Sequence, residues 1–194
     1  NRLRQQQSRC ACTPMDVTMM DEFYCALPFS LTRAQQRAVD EVLHDLSSGH
    51  AMNRMVQGDV GSGKTMVAAA AAYCAIKNGH QAALLAPTEI LAEQHAKSLG
   101  HLFDALRVPS VLLTGSLTAA QKRAVKEQLA SGEAQLIIGT HALFSGDVVF
   151  HDLGLVIADE QHRFGVAQRA ALAAKGTQPH LLVMSATPIP RTLA

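Results

Sequence analysis

The most constraining feature of the sequence is a cluster of glycines: the segment GDVGSG, residues 58–63, holds three glycines in six positions. Glycine loses more conformational freedom on folding than any other residue, so such a cluster is costly unless the backbone itself needs that freedom. With Lys64 and Thr65, which follow directly, it matches the pattern G-x-x-x-x-G-K-[ST]. This pattern forms a loop between a strand and a helix. The cluster therefore predicts an α/β fold.

The sequence on both sides of the cluster fits that arrangement. MNRMVQ (52–57) predicts a short strand, and residues 64–78 predict a helix that ends before Gly79. An earlier helix is predicted after Thr32, whose spacing to Gln35 is that of a capping box. Further helical segments alternate with apolar segments typical of strands buried on both faces: QAALLA, PSVLLT, AQLIIGT, LGLVIADE and HLLVMSAT. We therefore predict a mostly parallel β-sheet with helices on both faces.

Residues 1–30 differ from the rest of the chain. They show no sustained hydrophobic period, and Pro14 and Pro28 interrupt them. We expect a connector from a preceding domain over residues 1–30 and one compact domain over residues 31–194. The chain begins at Asn1 rather than at methionine and ends inside a helical pattern, so we also expect a fragment of a larger protein.

Composition and charge limit the kinds of partner that this chain can bind. The chain has 194 residues, of which 48% are hydrophobic, and its formal charge is +1. Because no strong positive charge attracts nucleic acid, such binding would use backbone amides and a few local side chains. The pair Cys10 and Cys12 could indicate a metal site, but the further ligands of a structural zinc site are missing nearby, and reduced thiols are favoured. Without a signal peptide or an apolar segment long enough to span a bilayer, a cytoplasmic protein with no membrane contact is expected.

The glycine cluster is expected to bind a nucleotide. Backbone N–H groups of the loop would converge on phosphate oxygens, and the following helix adds its positive dipole end. Lys64 would reach the β- and γ-phosphates, and the Thr65 hydroxyl would bind Mg²⁺. The alternative, a tight turn with an exposed lysine, fits the flanking strand and helix less well. The residues predicted to hold ATP in this way are Gly58, Asp59, Val60, Gly61, Ser62, Gly63, Lys64 and Thr65.

A pair of carboxylates extends this chemistry. In LGLVIADEQH an apolar strand ends in Asp159 and Glu160, and ligands bind outside the carboxyl ends of strands in sheets of this type. Asp159 would hold Mg²⁺, directly or through water, and Glu160 would orient and polarise the water that attacks the γ-phosphate. Two acids in a solvated loop are the alternative. We predict ATP hydrolysis with Lys64, Asp159 and Glu160 as the catalytic residues.

An ordered set of short segments resembles the motifs of superfamily 2 helicases: LTRAQ (31–35), GDVGSGKT (58–65), APTEILAEQH (86–95), TG (114–115), GTH (139–141), DEQH (159–162) and SATPIPRTLA (185–194). Within that superfamily, DEQHRFGV and TPIPRTLA are similar to the RecG family of ATP-dependent DNA translocases, which remodel stalled forks and Holliday junctions in repair and recombination. The resemblance extends from about Leu27 to Ala194. It implies a RecA-like P-loop NTPase domain, the first of two motor lobes, that uses ATP and Mg²⁺ and acts on branched double-stranded DNA.

The resemblance also implies roles for individual residues. Gln35 would read the adenine edge, although its spacing also makes it the capping-box partner of Thr32. His162 would couple the nucleotide site to the DNA face, the alternative being an ordinary loop residue. Arg191 would be either a phosphate contact or a surface charge. Contacts to the DNA backbone, which position a protein without reading bases, would come from Thr88, Glu89, Thr114, Gly115, Thr140 and His141, and coupling would also involve Ser185, Ala186 and Thr187.

Two alternatives stay open. The translocase module of a transcription-repair coupling factor shares GTH, RFGV and TPIPRTL. Its acidic motif usually reads Asp-Glu-Glu-Gln, and its phosphate loop carries a bulkier residue between the glycines, so Gln161, His162 and Ser62 favour RecG. A regulatory nucleotide-binding module without motor activity has no need of the segments GTH and SAT. In the RecG family a second lobe supplies an arginine finger and a wedge domain engages the fork. Residues 1–194 alone are therefore expected to fold but to be nearly inactive.

Overall fold

The structure is a computed structural model that describes residues 14–57, 63–144, 146–159 and 179–185. The helices of this part of the chain are α1 (Asp21–Ala26), α2 (Arg33–Ser47), α3 (Lys64–Lys77), α4 (Glu89–Ala105) and α5 (Ala119–Ser131), with a 3₁₀ turn at His141–Phe144. Its strands are β1 (Asn53–Gln57), β2 (Gln81–Leu85), β3 (Ser110–Leu113), β4 (Leu136–Gly139), β5 (Leu153–Asp159) and β6 (His180–Ser185). None of these described helices has the length and apolar character that a bilayer span requires.

The strands of the described chain form one parallel sheet in the order β1-β6-β5-β2-β4-β3. Every residue of β2 and of β6 is buried, which explains why their sequences are apolar without alternation. The predicted α/β fold with a mostly parallel sheet is confirmed. Although β1 and β2 are consecutive strands in the sequence, β6 and β5 lie between them in the sheet.

Helices cover both faces of the sheet, as predicted. Successive side chains of a strand point to opposite faces, and the buried residues of β2 divide in this way. Ala82 and Leu84 join the core cluster that includes residues of α2, α3 and α4. Ala83 and Leu85 join a second cluster, which contains Leu129 of α5.

The central helix of the first face, α3, is almost entirely buried. All residues from Val67 to Ile76 are buried, and Ala68–Ala72 are consecutive alanines. Alanine is the best helix former, and its small side chain lets the helix lie close to the sheet. This packing fixes the orientation of α3 and therefore the position of its first turn, which contains Lys64 and Thr65.

Two predictions about where helices begin and end are also confirmed. At the start of α2, Thr32 Oγ1 accepts the backbone N–H of Gln35 at 3.2 Å, and Gln35 Oε1 accepts the N–H of Thr32 at 2.8 Å. Together these bonds form the predicted capping box. Helix α3 ends before Gly79, whose φ of 86° lies in the left-handed region that glycine adopts without strain.

Residues 14–30 pack against the domain and include α1, which the sequence pattern did not predict. Phe23 is fully buried and Met15 and Met20 are nearly so, all in the core cluster that contains α2 and α3. The Tyr73 hydroxyl of α3 donates to Glu22 Oε2 at 3.2 Å. A helix this short shows no readable period, and tertiary contacts stabilise it. The described part of the expected connector is thus attached to the core, and a domain boundary at residue 30 stays a prediction.

A buried histidine makes the stability of the sheet sensitive to acid. His180, the first residue of β6, is only 3% exposed, and its Nδ1 accepts the backbone N–H of Met52 at 2.8 Å. Burial lowers the pKa of His180 below its ordinary value of 6.5, and the nearby His80 lowers it further, while Asp45 offsets part of the decrease. The fold therefore accommodates the neutral imidazole.

We expect the free energy of unfolding to fall as the pH decreases below about 6.5. There the unfolded chain binds a proton at His180 that the folded chain excludes, whereas at higher pH both states are neutral at this position. His180→Asn retains an acceptor without titrating, so its Tm should decrease less than that of the parent between about pH 7 and about pH 5.5. The exposed His101→Asn is the control. An unchanged decrease in His180→Asn would assign the acid sensitivity to other groups.

Candidate functional site

Predicted site residues that the structure describes lie at the ends of neighbouring strands, because the carboxyl ends of parallel strands meet at the same edge of a sheet. Gln57 at the end of β1 is paired with Ser185 at the end of β6. Asp159 ends β5, the next strand. The next strands in the sheet are β2, β4 and β3. They are followed by the segments predicted to face DNA, which begin at Ala86, Thr140 and Thr114, respectively. The strand order therefore places Asp159 and Ser185 between the glycine loop and the segments predicted to face DNA.

The described chain on either side of the glycine loop has the predicted strand and helix. Strand β1 ends at Gln57, and α3 begins at Lys64 with Gly63 as its N-cap. Gly63 has φ 79°, a left-handed conformation that a side chain would strain. Lys64 and Thr65 are half-buried in the first helical turn, where N–H groups lack partners within the helix. Gly58, Asp59, Val60, Gly61 and Ser62 lie outside the described residues.

The side chain of Gln35 reaches the glycine loop while it caps α2. Its Oε1 accepts the N–H of Thr32, and its Nε2 lies 1.7 Å from the point where a Cβ on Gly63 would be. Any side chain at Gly63 would therefore overlap the Gln35 amide. The two alternatives for Gln35, helix cap and nucleotide contact, are compatible in one conformation, and the adenine contact stays a prediction.

Asp159 is held by a histidine that the sequence analysis did not assign. His95 Nε2 and Asp159 Oδ2 are 2.7 Å apart, and their side chains are 13% and 16% exposed. Because an ionised carboxylate only accepts hydrogen bonds, His95 Nε2 carries the proton and donates it. The segment APTEILAEQH contains His95, but nothing in it indicates that β2, which precedes this helix, lies beside β5. Glu160 is beyond the described residues.

The side chains near this edge fit a magnesium ion. The Asp159 carboxylate and the Thr65 hydroxyl are oxygen donors of the kind that Mg²⁺ prefers. The hydrogen bond with His95 uses Oδ2 of Asp159 and does not involve Oδ1. The described residues contain no cluster of three or more His, Cys, Asp or Glu side chains that could hold a metal alone. Mg²⁺ itself keeps several waters and usually takes one or two carboxylates plus nucleotide phosphates.

Among the residues predicted to face DNA, Glu89 and Gly115 come together. A Cβ on Gly115 would lie 2.8 Å from Glu89 Oε1, so the TG segment and the start of α4 are in contact. Thr88 Oγ1 caps α4 by accepting the N–H of Leu91 at 3.2 Å. The Thr114 hydroxyl is buried and hydrogen-bonded to the Ser116 hydroxyl at 2.9 Å. Thr114 therefore contributes to the loop's shape rather than presenting its side chain to solvent.

The structure describes only some of the other residues that were predicted to contact DNA or to couple the two sites. His141 is exposed at the start of the 3₁₀ turn, and the carbonyl oxygen of Thr140 accepts the N–H of Leu143 at 3.1 Å. Ser185 is buried at the end of β6. The structure does not describe His162, Ala186, Thr187 or Arg191.

Of the four cysteines, the structure describes Cys25 and Cys74. Cys10 and Cys12 lie in the undescribed first 13 residues. Cys25 is exposed and Cys74 is buried, and both are free thiols. Burial raises the pKa of the Cys74 thiol to about 11, so it is a neutral core side chain.

Comparison with known sequences shows that this chain is similar to helicases. Residues 32–194 match the family model of DEAD/DEAH box helicases. The ATP-dependent DNA helicase RecG of Synechocystis sp. is 54% identical over 191 residues, which are 98% of this chain and 23% of that protein. The protein of the same name from Streptococcus pneumoniae is 60% identical over 169 residues, 87% of this chain and 25% of that protein. The chain spans about a quarter of the length of these curated relatives.

Comparison with solved structures gives the same result. A structure of RecG bound to a three-way DNA junction has a TM-score of 0.85 and 43% sequence identity, and the match covers 98% of this chain and 26% of that one. The DUF1998 helicase MrfA, bound to DNA and AMPPNP, has a TM-score of 0.70 at 21% identity over 94% of this chain and 28% of its own, a likeness of fold alone. The predicted resemblance to RecG and the RecA-like fold are confirmed.

Proposed function

The chain belongs to the DEAD/DEAH box helicase family, and we propose that it is the ATP-binding first motor lobe of a RecG-type translocase. The full-length protein would hydrolyse ATP to remodel branched double-stranded DNA in repair and recombination, in the cytoplasm. Relatives named ATP-dependent DNA helicase RecG support this proposal, as does the similarity to RecG bound to a three-way DNA junction. A second motor lobe and a wedge domain of the same full-length chain would complete the protein.

The observation that carries the proposal is the order of functional segments along the carboxyl edge. The glycine loop follows β1, at one end of the described sheet, and the segments at Thr88, Thr140 and Thr114 follow the three strands at the other end. Asp159 and Ser185 end the two strands between them. A motor needs a nucleotide site and a DNA face joined by residues that sense both, and this order of segments supports that assignment.

The proposed chemistry assigns a task to each residue at the nucleotide end. The loop amides from Gly58 to Gly63 would bind phosphate oxygens, and Lys64 would contact the β- and γ-phosphates. Asp159 and Thr65 would hold Mg²⁺, which would neutralise charge on the phosphates. Glu160 would orient the attacking water. An arginine from the second lobe would stabilise the transition state, which is why residues 1–194 alone are expected to be nearly inactive.

The DNA face would bind the backbone through local polar groups. The formal charge of the chain is only +1, so strong attraction by bulk charge is not expected. Thr88, Glu89, Gly115, Thr140 and His141 would provide side-chain and backbone contacts to phosphates and sugars. Such contacts carry no base information, which suits a translocase that moves along any sequence.

Full-length protein provides the test of this function. ATPase activity should be measured without DNA, with a linear duplex and with a three-way junction of the same composition, at constant salt. We expect stimulation by DNA, and more by the junction than by the duplex. Stimulation by linear duplex alone would favour the coupling-factor alternative, and ATP binding without any stimulation would favour a regulatory nucleotide-binding module.

A further inference from the structure

One buried contact connects Asp159, in the middle of the candidate site, to the helix that begins at the segment predicted to face DNA. His95 lies on α4, whose N-terminal end carries Thr88 and Glu89, and it donates a hydrogen bond to Asp159 at 2.7 Å. We propose that His95 is a positioning residue: it holds the Asp159 carboxylate and links it mechanically to the DNA-facing end of α4. This inference rests on the proposed function, because it gives Asp159 and the start of α4 the roles assigned above.

The contact restricts how Asp159 can bind a metal ion. With Oδ2 occupied by His95, the carboxylate presents Oδ1, and its rotation is limited. Both side chains are at least four-fifths buried, so water competes weakly for the bond. Hydrogen bonds to metal-ligating carboxylates fix their orientation, and losing such a partner typically costs 10- to 100-fold in metal affinity or activity. His95 is therefore placed to control the binding of Mg²⁺ without touching it.

The position of His95 within α4 gives the link to DNA. His95 is seven positions after Thr88, which corresponds to about 10 Å along a helix axis. Glu89 contacts the TG segment at Gly115, so a ligand on that surface would act directly on the first turn of α4. Because an α-helix moves as a rigid unit over two turns, a displacement of its N-terminal end also displaces His95 and, through the hydrogen bond, Asp159.

The test compares the parent full-length protein with three variants, each of which carries one substitution. His95→Phe removes the donor but keeps a planar ring, and His95→Gln keeps a side-chain N–H donor. His101→Phe is the matched control, because His101 is exposed on the same helix. Binding of Mn²⁺ in the presence of a non-hydrolysable ATP analogue should be measured by electron paramagnetic resonance. ATPase activity with and without a three-way junction, and the Tm, complete the measurements.

We expect His95→Phe to weaken Mn²⁺ binding about 10-fold and to reduce the stimulation of ATPase activity by DNA. His95→Gln should bind Mn²⁺ nearly as the parent does, and His101→Phe should match the parent throughout. Parent-like Mn²⁺ binding by His95→Phe would overturn the positioning role, and parent-like DNA stimulation would overturn the link to α4. If both His95 variants lost affinity in proportion to a lowered Tm, the contact would be structural only. A parent that showed no DNA-stimulated ATPase would instead refute the proposed function.

Discussion

Replacing Lys64 with alanine is expected to abolish productive ATP binding by the full-length protein. Lys64 is the first residue of α3 and directly follows the glycine loop, where its ammonium group would face the β- and γ-phosphates. Removing one preorganised donor of this kind from a phosphate or oxyanion site typically lowers turnover about 10²-fold or more. Steady-state ATPase activity and titration with a fluorescent ATP analogue should therefore both decrease sharply.

The fold should tolerate this substitution. Lys64 forms no ion pair with any residue that the structure describes, and alanine is a good helix former. Lys77→Ala is the matched control: Lys77 ends the same helix and lies 3.7 Å from Glu22, a weak surface pair. Parent-like activity in Lys64→Ala, or equal losses in both variants, would contradict the phosphate-loop assignment.

Much of the fold could be predicted because its signals are local. The glycine loop, the capping box of Thr32 and Gln35, and the end of α3 before Gly79 each depend on a few neighbouring residues. The central residues of the buried strands β2 and β6 are apolar without alternation because both faces of these strands are covered. Alternation of such strands with helices is enough to indicate a parallel sheet.

The order of the strands could not be predicted, because nothing in a strand's own sequence specifies its neighbour. The pairing of β5 with β2 brings Asp159 beside a helix that precedes it by more than fifty residues in the chain. His95 was therefore missed, although the segment that contains it was identified. Helix α1 was missed for a related reason: Phe23 is buried by α3 and its neighbours, and a helix of six residues has no period of its own.

The sequence predicted which edge of the sheet carries the candidate site, but it did not predict the contacts between individual residues there. Asp159 lies at the carboxyl end of a parallel strand, as its sequence context indicated. The approach of Gln35 to Gly63 and of Glu89 to Gly115 depends on how α2 and α4 pack on the sheet. These contacts arise from tertiary structure, so a pattern of residue types in one segment does not contain them.

Glu160→Gln should separate nucleotide binding from hydrolysis in the full-length protein. Glu160 follows Asp159, the last residue of β5, and is proposed to polarise the attacking water. Glutamine has nearly the same shape, but its amide cannot draw a proton from water as a carboxylate does. Loss of a general base typically lowers the rate about 10²- to 10⁴-fold. Binding of an ATP analogue and of Mg²⁺ should therefore persist while turnover nearly ceases.

The comparison with Lys64→Ala makes this prediction specific. Lys64→Ala should lower binding and turnover together, because it removes a contact to bound phosphates, whereas Glu160→Gln should lower turnover alone. The exposed Glu133→Gln, at a distant surface position, controls for the loss of one negative charge. Equal losses of binding and turnover in Glu160→Gln would move this residue from catalysis to nucleotide or metal binding. Asp159 would then share its role with Glu160, and the attacking water would need another partner.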